Sequence, residues 1–339
     1  MKRSIFMGAL CLLVMACSTT KPTASSTNQP SSTEVSTSDP AQEEMNQLVL
    51  SIMQQARQAP PEPPIAEIMP PNFQSDGLLE KEATFRDYTL RIYKNTNTFE
   101  SLFEILQGNK RLYAKTGNSF MVNETFEGSD NERAFPMGME ITGDGQPNLL
   151  VLEYTGGAHC CLRYHIFEIG KRFRAIAVID AADSTAVFED LDNDGKLEVE
   201  IGDWTYAYQF TCFIDSPVER VVLRYKDDGY FVAPDLMYKP APTEDELQKK
   251  ARKAKAVYEK TKANPGTWGS PAGLWVEMLN LIYTGHEPLA YKFFEMAWPA
   301  EITGKDAALA KFKKVLLLSP FYREMKGIGQ SQQEPITVH

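Results

Sequence analysis

Alternating apolar and polar residues dominate the middle of the chain. Five segments carry this period of two, which predicts β-strands: residues 89–93, 102–106, 149–154, 164–169 and 173–179. A Gly-Asn-Lys turn joins residues 102–106 to residues 111–114, so these two segments are predicted to form a hairpin. The pattern predicts an antiparallel β-domain over residues 73–237.

A helical period replaces this alternation after residue 243. Thr243 and Glu246 have the spacing of a capping box at the start of a helix. Further helices are predicted to begin at Ser270-Pro271 and at Pro288, and a fourth is predicted over residues 305–318, ended by Pro320. The apolar faces predict a small α-helical bundle over residues 243–326, followed by a loose tail at 327–339. The predicted fold class is therefore α+β in two parts.

One acidic turn inside the β-domain carries the clearest candidate chemistry. Asp190, Asp192 and Asp194 occupy positions one, three and five of a loop, and Gly195 supplies a sharp bend. Residues 197–201 then alternate as a strand, and position twelve is Ile201, so the segment is not an EF-hand.

The loop supplies oxygen ligands of the kind that calcium binds. The predicted ligands are the carboxylates of Asp190, Asp192, Asp194 and Glu198, with the backbone carbonyl of Lys196. Two carboxylates about 4 Å apart repel by roughly 4 kcal/mol at an effective dielectric constant of ~20, so a partly buried cluster needs a cation. The alternative is a solvent-screened acidic turn that holds no metal. We predict a structural Ca²⁺ site.

The chain also contains an internal repeat. Residues 143–151 align with residues 193–201, and residues 165–173 match residues 223–231 in character. Each unit has the order acidic turn, strand, loop, strand, glycine turn, strand. The earlier unit has Glu140 and Thr142 where the later one has aspartates, which predicts a structural turn or a weaker site.

These units resemble FG-GAP or VCBS-type repeats over residues 85–235. The resemblance implies propeller-blade-like sheets and calcium in the DxDxDG loop. Two clear units and a partial one before them are too few for a closed propeller, so an open β-domain is expected. The Gly-Gly-Ala-His-Cys-Cys segment at 156–161 resembles a motif of uncharacterised bacterial proteins, a resemblance that implies no activity.

The N-terminus predicts export and lipidation. Lys2 and Arg3 precede an apolar stretch over residues 5–16, and Val-Met-Ala-Cys at 14–17 resembles a bacterial lipobox. Residues 1–17 are thus a predicted lipoprotein signal peptide, with Cys17 as the lipidated residue; an ordinary signal peptide or an uncleaved anchor is the alternative. Ser18 in place of aspartate implies an outer-membrane lipoprotein that faces the periplasm or the cell surface.

Composition fits this location. Residues 18–72 are rich in Ser, Thr and Pro and predict a disordered tether with one possible short helix over residues 45–58. The formal net charge of -10 argues against nucleic acid as a partner. In an oxidising envelope, Cys160, Cys161 and Cys212 are disulfide candidates. The pairs Cys161–Cys212, Cys160–Cys212 and Cys160–Cys161 all remain open at this point.

No catalytic residue is predicted, because no nucleophile elbow, phosphate loop or zinc motif is present. The favoured function is a non-catalytic envelope lipoprotein whose calcium-stabilised domain binds a protein or glycan. One alternative is a periplasmic enzyme with His159, Asp203 and Glu153 in one cleft. The other is a thiol-redox protein that uses the His159, Cys160 and Cys161 segment, with Cys160 or Cys161 exposed.

Overall fold

A computed structural model describes residues 77–98, 100–122, 135–157, 161–261 and 272–328 of the chain. The predicted signal peptide, the lipidation site Cys17 and the tether with its short helix lie outside the described residues. His159, Cys160 and most of the C-terminal tail also lie outside them.

The described strands form three antiparallel four-stranded sheets, and in each sheet the strands pair in chain order. The first sheet consists of β1 (Gly77–Phe85), β2 (Tyr88–Asn95), β3 (Ser101–Gln107) and β4 (Lys110–Gly117). The second consists of β5 (Ser119–Val122), β6 (Asn148–Tyr154), β7 (Leu162–Ile169) and β8 (Phe173–Ala182). The third consists of β9 (Val187–Glu189), β10 (Glu198–Asp203), β11 (Glu219–Lys226) and β12 (Gly229–Val232).

Helices follow the third sheet, so the mixed α+β class is confirmed. They are α1 (Pro234–Met237), α2 (Glu244–Thr261), α3 (Ala272–Tyr283), α4 (Glu287–Ala297), α5 (Lys305–Leu316) and α6 (Pro320–Met325). The predicted capping box is present at α2. The backbone N–H of Thr243 donates to Glu246 Oε2 at 2.8 Å, and that of Glu246 donates to Thr243 Oγ1 at 3.3 Å.

One prediction about the elements was wrong, and one was incomplete. The unit ahead of the two repeats is a complete four-stranded sheet rather than a partial one, because β1 is a strand despite its largely exposed face. Pro320 does not simply end the fourth helix. That helix stops at Leu316, and Pro320 opens α6, where the Ser319 side chain accepts a hydrogen bond from the backbone N–H of Tyr322.

The second sheet is a wall between two hydrophobic cores. Along β6, Leu149 and Val151 pack toward the first sheet, whereas Leu150 and Leu152 pack toward the third sheet and the helices. A strand that is apolar on both faces is buried on both sides. The two cores are thus joined through adjacent residues of one strand.

The helices cover the third sheet and share its core. Phe210, in the segment between β10 and β11, stacks on Trp275 of α3 with ring centroids 4.6 Å apart. The backbone N–H of Val232 at the end of β12 donates to Glu324 Oε1 of α6 at 2.8 Å. Among the helices that the structure describes, none combines the length and the apolar character needed to cross a membrane.

Candidate functional site

The acidic loop at residues 190–198, called the second acidic loop below, connects β9 to β10. Asp190 is half-buried, and Asp192 and Asp194 are exposed. One carboxylate oxygen from each lies within 4.8 Å of the others. Calcium–oxygen distances are about 2.4 Å, so oxygens on opposite sides of one ion are about 4.8 Å apart. The three carboxylates therefore have the spacing of a shared ligand set.

The backbone of this loop is folded around its own aspartates. Asn193 and Gly195 have positive φ angles of 62° and 87°. The backbone N–H of Asp194 donates to Asp190 Oδ1 at 3.0 Å, and that of Gly195 donates to Asp190 Oδ2, also at 3.0 Å. The bend at Gly195 uses its conformational freedom directly. The result is a turn in which alternate side chains converge.

Glu198 at position nine is the buried member of the group. Its side chain is 1% exposed, and Oε2 accepts a hydrogen bond from the backbone N–H of Leu191 at 3.0 Å. The other oxygen, Oε1, is buried and accepts no hydrogen bond from any described residue. Burial raises the pKa of Glu198, and the nearby Asp192 and Asp194 add to that rise. A buried carboxylate oxygen without a donor is where a cation would be stabilising.

Two basic side chains already contact these carboxylates. Lys196 Nζ lies 3.0 Å from Asp194 Oδ2, and this hydrogen bond lowers the pKa of Asp194. Arg224 of β11 lies 2.8 Å from Asp192 Oδ2, and its Nε lies 3.5 Å from Glu198 Oε1. The negative charge of the loop is thus partly balanced from within the chain.

Arg224 is the site residue that the sequence prediction missed. Val199 pairs with Leu223 in the β10–β11 ladder, so one step further along the register brings Glu198 opposite Arg224. An opposite-charge pair across two antiparallel strands is a usual stabilising contact. The predicted repeat had placed both strands, and pairing them would have pointed to this arginine.

The first repeat has an equivalent loop at residues 140–148, called the first acidic loop below. Gly143 and Gly145 have φ angles of 70° and 79°, matching Asn193 and Gly195 of the later repeat. Asn148 Oδ1 accepts from the backbone N–H of Ile141 at 2.7 Å, as Glu198 does from Leu191. The two loops therefore have this hydrogen bond in common.

The charge of the first acidic loop is lower. Thr142 replaces the central aspartate, and its hydroxyl donates to Asp144 Oδ1 at 3.0 Å. Glu140 Oε1 accepts from the backbone N–H of Gly145 at 2.6 Å. Side-chain and backbone hydrogen bonds within the loop satisfy oxygens that would otherwise face each other. Its two carboxylates, Glu140 and Asp144, thus both accept hydrogen bonds from within the loop.

The two acidic loops touch each other. The backbone N–H of Leu197 donates to Ile141 O at 3.2 Å. The Lys196 stem lies so close to Gly143 that a Cβ added there would be 1.8 Å from Lys196 Cγ. The second acidic loop is thus part of the junction between the second and third sheets.

The cysteine predictions are corrected in part. Cys161 is buried and forms no disulfide, so the predicted Cys161–Cys212 and Cys160–Cys161 bonds are wrong for this structure. Its backbone N–H donates to Ala182 O at 2.8 Å, and its Sγ lies 3.8 Å from Gly156 O, which places the thiol within the second sheet. Cys212 Sγ lies 3.5 Å from Asp215 Oδ2. The pairing of Cys160 with Cys212 stays a prediction.

Glu153 and Asp203, the two described residues of the set proposed for an enzyme, belong to different hydrogen-bonded clusters. Glu153 Oε2 lies 2.7 Å from His165 Nε2 within the second sheet. Asp203 Oδ2 instead accepts from Tyr283 and Ser319, each at 2.5 Å, at the junction of the third sheet with the helices. A cavity of about 320 Å³ beside α2 and α3 is lined by neither carboxylate. The thiol-redox hypothesis loses Cys161, which is buried, while His159 and Cys160 lie outside the described residues.

Comparison with known proteins adds no relative. No family model, no curated protein and no solved structure matches this chain. The resemblance to FG-GAP or VCBS-type repeats therefore stays a prediction from the acidic loop and the repeat pattern.

Proposed function

We propose that this protein is a non-catalytic lipoprotein of the bacterial outer membrane. In this proposal its β-domain contains a structural calcium ion, and the rigid domain serves as a binding or scaffold module for an envelope protein or glycan. The ion is held by Asp190, Asp192, Asp194 and Glu198, together with the backbone carbonyl of Lys196.

The observation that carries the proposal is the geometry of the second acidic loop. Three carboxylates place one oxygen each within 4.8 Å of the others, beside a buried Glu198 oxygen that accepts no hydrogen bond from a described residue. Hard oxygen ligands at this spacing suit calcium better than softer metals. A site filled by its own loop leaves no open position for chemistry, so the ion is proposed to be structural.

The repeat architecture supports a scaffold role. Three successive four-stranded meanders are the form of propeller blades, and the two acidic loops lie in contact at the junction of the second and third sheets. An ion at this junction would hold the end of β9 to the start of β10 and so stiffen the third sheet. We propose that the sheets are blade-like units of the FG-GAP type.

The envelope location rests on the sequence. Lys2 and Arg3, the apolar stretch that follows and the lipobox-like residues 14–17 support export and lipidation at Cys17. The Ser, Thr and Pro-rich tether at 18–72 would separate the folded part from the membrane by a flexible span. The net charge of -10 favours protein or glycan partners over nucleic acid.

Isothermal titration of the full chain with calcium chloride tests the ion. We expect one site per chain and a melting temperature that rises with calcium, because a ligand that binds only the folded state stabilises it. The double variant Asp192→Asn with Asp194→Ala should abolish both signals. Asp144→Asn, the matched change in the first acidic loop, should leave them unchanged. A wild-type chain that gives no binding heat and an unchanged melting curve would refute the calcium site.

The scaffold role is tested by capture of partners from envelope extracts. Wild-type protein is compared with the same double variant, each with calcium and with a chelator. Partners retained by wild-type protein in calcium, and lost with chelator or with the variant, are the expected result. Partners retained equally well with chelator and with the double variant would show that calcium does not shape the binding surface.

A further inference from the structure

Arg224 lies between the second acidic loop and the first helix. Its side chain is 27% exposed and extends from β11. One terminal nitrogen lies 2.8 Å from Asp192 Oδ2 and 3.0 Å from Asp235 Oδ2, and the other lies 3.3 Å from Asp235 Oδ1. Asp235 belongs to the first turn of α1. A single guanidinium therefore joins the loop to the segment that leads into the helices.

Two of its contacts are with oxygens of the proposed ligand set. Besides Asp192, it approaches Glu198 Oε1, with Nε at 3.5 Å. Nε itself is buried and donates no hydrogen bond to any described residue. The guanidinium thus lies near Glu198 without satisfying it. A divalent ion bound to Asp192 and Glu198 would lie close to this guanidinium and repel it, because both are positively charged.

Asp235 offers the arginine another place. It presents both carboxylate oxygens to the two terminal nitrogens, which is the two-point geometry that guanidinium groups favour with carboxylates. Asp235 is more exposed than Asp192 and lies outside the loop. Arg224 can therefore leave the loop without losing its charge partner.

We propose that Arg224 is a built-in competitor of the divalent cation for Asp192 and Glu198, and that Asp235 is the partner to which it withdraws when the cation binds. The inference rests on the proposed calcium site and describes its regulation. Ion affinity is then set by the balance between two positions of one side chain. Ion binding moves the arginine toward α1 and so transmits the occupancy of the loop to the segment that precedes the helices.

Calorimetric titration with calcium chloride, using the full chain, tests the competition through variants with opposite expected signs. Arg224→Gln should tighten binding by about tenfold, since a partly buried charge no longer opposes the ion. Asp235→Asn should weaken binding by about threefold or more, because the arginine then has only the loop as a partner. In the double variant Arg224→Gln with Asp235→Asn, the weakening of calcium binding caused by Asp235→Asn should disappear.

Arg220→Gln is the matched control. Arg220 lies on the same strand and loses the same charge, but its ion pair is with Glu200 at 2.6 Å, outside the loop. We expect less than a twofold change in calcium affinity. A shift as large as that of Arg224→Gln would attribute the effect to overall charge and overturn the competition.

The outcomes separate the two proposals. Unchanged or weaker binding in Arg224→Gln, with normal binding by wild type, overturns the competition and leaves the calcium site standing. An Asp235→Asn effect that persists in the double variant also overturns it. No heat from either wild type or Arg224→Gln refutes both proposals. Binding by Arg224→Gln alone supports the competition and refutes calcium occupancy of the natural chain. If Arg224→Gln does not fold, Asp235→Asn alone tests the competition. Weaker calcium binding than in wild type supports the competition, and unchanged binding overturns it.

Discussion

At positions 148 and 198 the two repeats place an amide and a carboxylate in the same buried location. Both side chains are 1% exposed, and both accept a hydrogen bond from the backbone seven residues earlier. Asn148 completes its contacts with a second backbone N–H, from Thr142 at 3.3 Å. Glu198 instead keeps one oxygen without a hydrogen bond from the described residues.

The same contrast runs through the rest of the two loops. Thr142 stands where the later repeat has Asp192, and its hydroxyl provides a donor that an aspartate lacks. In both loops carboxylate oxygens accept hydrogen bonds from the backbone of the loop itself. The second acidic loop also uses Lys196 and Arg224, and it keeps Glu198 Oε1 without a hydrogen bond from the described residues. The two turns thus differ chiefly in how many carboxylates they carry, and the proposed ion would balance the larger number in the second acidic loop.

Exchanging the side chains of the two loops is expected to have the largest effect. Asp190→Glu, Asp192→Thr and Glu198→Asn together should abolish calcium binding while the loop stays folded. The reciprocal set, Glu140→Asp, Thr142→Asp and Asn148→Glu, should raise the stoichiometry from one ion to two. Calorimetric titration measures both. If the wild type binds and the reciprocal variant gains nothing, the decisive feature lies outside the three exchanged positions.

Glu219 is a buried carboxyl group that lies away from both loops. It allows the cost of burying a carboxylate to be measured separately from ion binding. Burial raises the pKa of Glu219 to about 8, with nearby Asp203 adding to the rise. Its folded pKa lies above its unfolded value, so the folded state holds a proton that the unfolded state has lost. The free energy of unfolding should therefore fall as pH rises, by about 1.4 kcal/mol per unit between roughly pH 5.5 and 7.5.

Glu219→Gln should remove that dependence. The measurement is denaturant unfolding of wild type and variant across this pH range, with chelator present. We expect the two slopes to differ by about one bound proton, or ~3 kcal/mol accumulated over two pH units. Parallel slopes would show that Glu219 is ionised in the folded protein, and that a buried carboxylate can stay charged there without a cation.

The smallest expected effect concerns the contact between the loops. Gly143→Ala and Gly145→Ala both place a Cβ at positive φ, at a cost of about 1–2 kcal/mol each. Only the first meets a neighbour, because the Lys196 stem lies against Gly143 while nothing lies within 4 Å of the Gly145 position. Gly143→Ala should therefore destabilise the protein by about 1–3 kcal/mol more. Equal melting temperatures would mean that the loops are not in firm contact.

Local pattern was sufficient for most of the strands and for four of the helix starts. The hairpin of β3 and β4 and the strands β6, β7 and β8 follow from alternation and glycine turns. β1, β5 and β9 were missed, since β1 is largely exposed and β5 and β9 have only four and three residues. The start of α6 could have been found, because Ser319-Pro320 repeats the Ser-Pro signal recognised at residues 270–271.

Only those features of the site that depend on residues close together in the sequence could be predicted. Alternating aspartates and a glycine define the turn, so its convergent carboxylates followed from spacing. The burial of one Glu198 oxygen and the approach of Arg224 depend on how β10 pairs with β11 and how the helices cover the sheet. Charge balance at the loop is therefore a tertiary property. The disulfide predicted at Cys161 was wrong for a similar reason. The surroundings of this residue are set by tertiary contact with β8 and not by local sequence.

The wall formed by the second sheet bears on how the chain can be shortened. Leu149, Val151 and Phe167 are at most 2% exposed because the first sheet covers them. A fragment that began at β5 would turn this interior face into a broad apolar outer surface, of the kind that leads to aggregation. Proteolysis that releases the folded part from its N-terminal segment must therefore cut ahead of β1 if the released fragment is to stay dispersed in water.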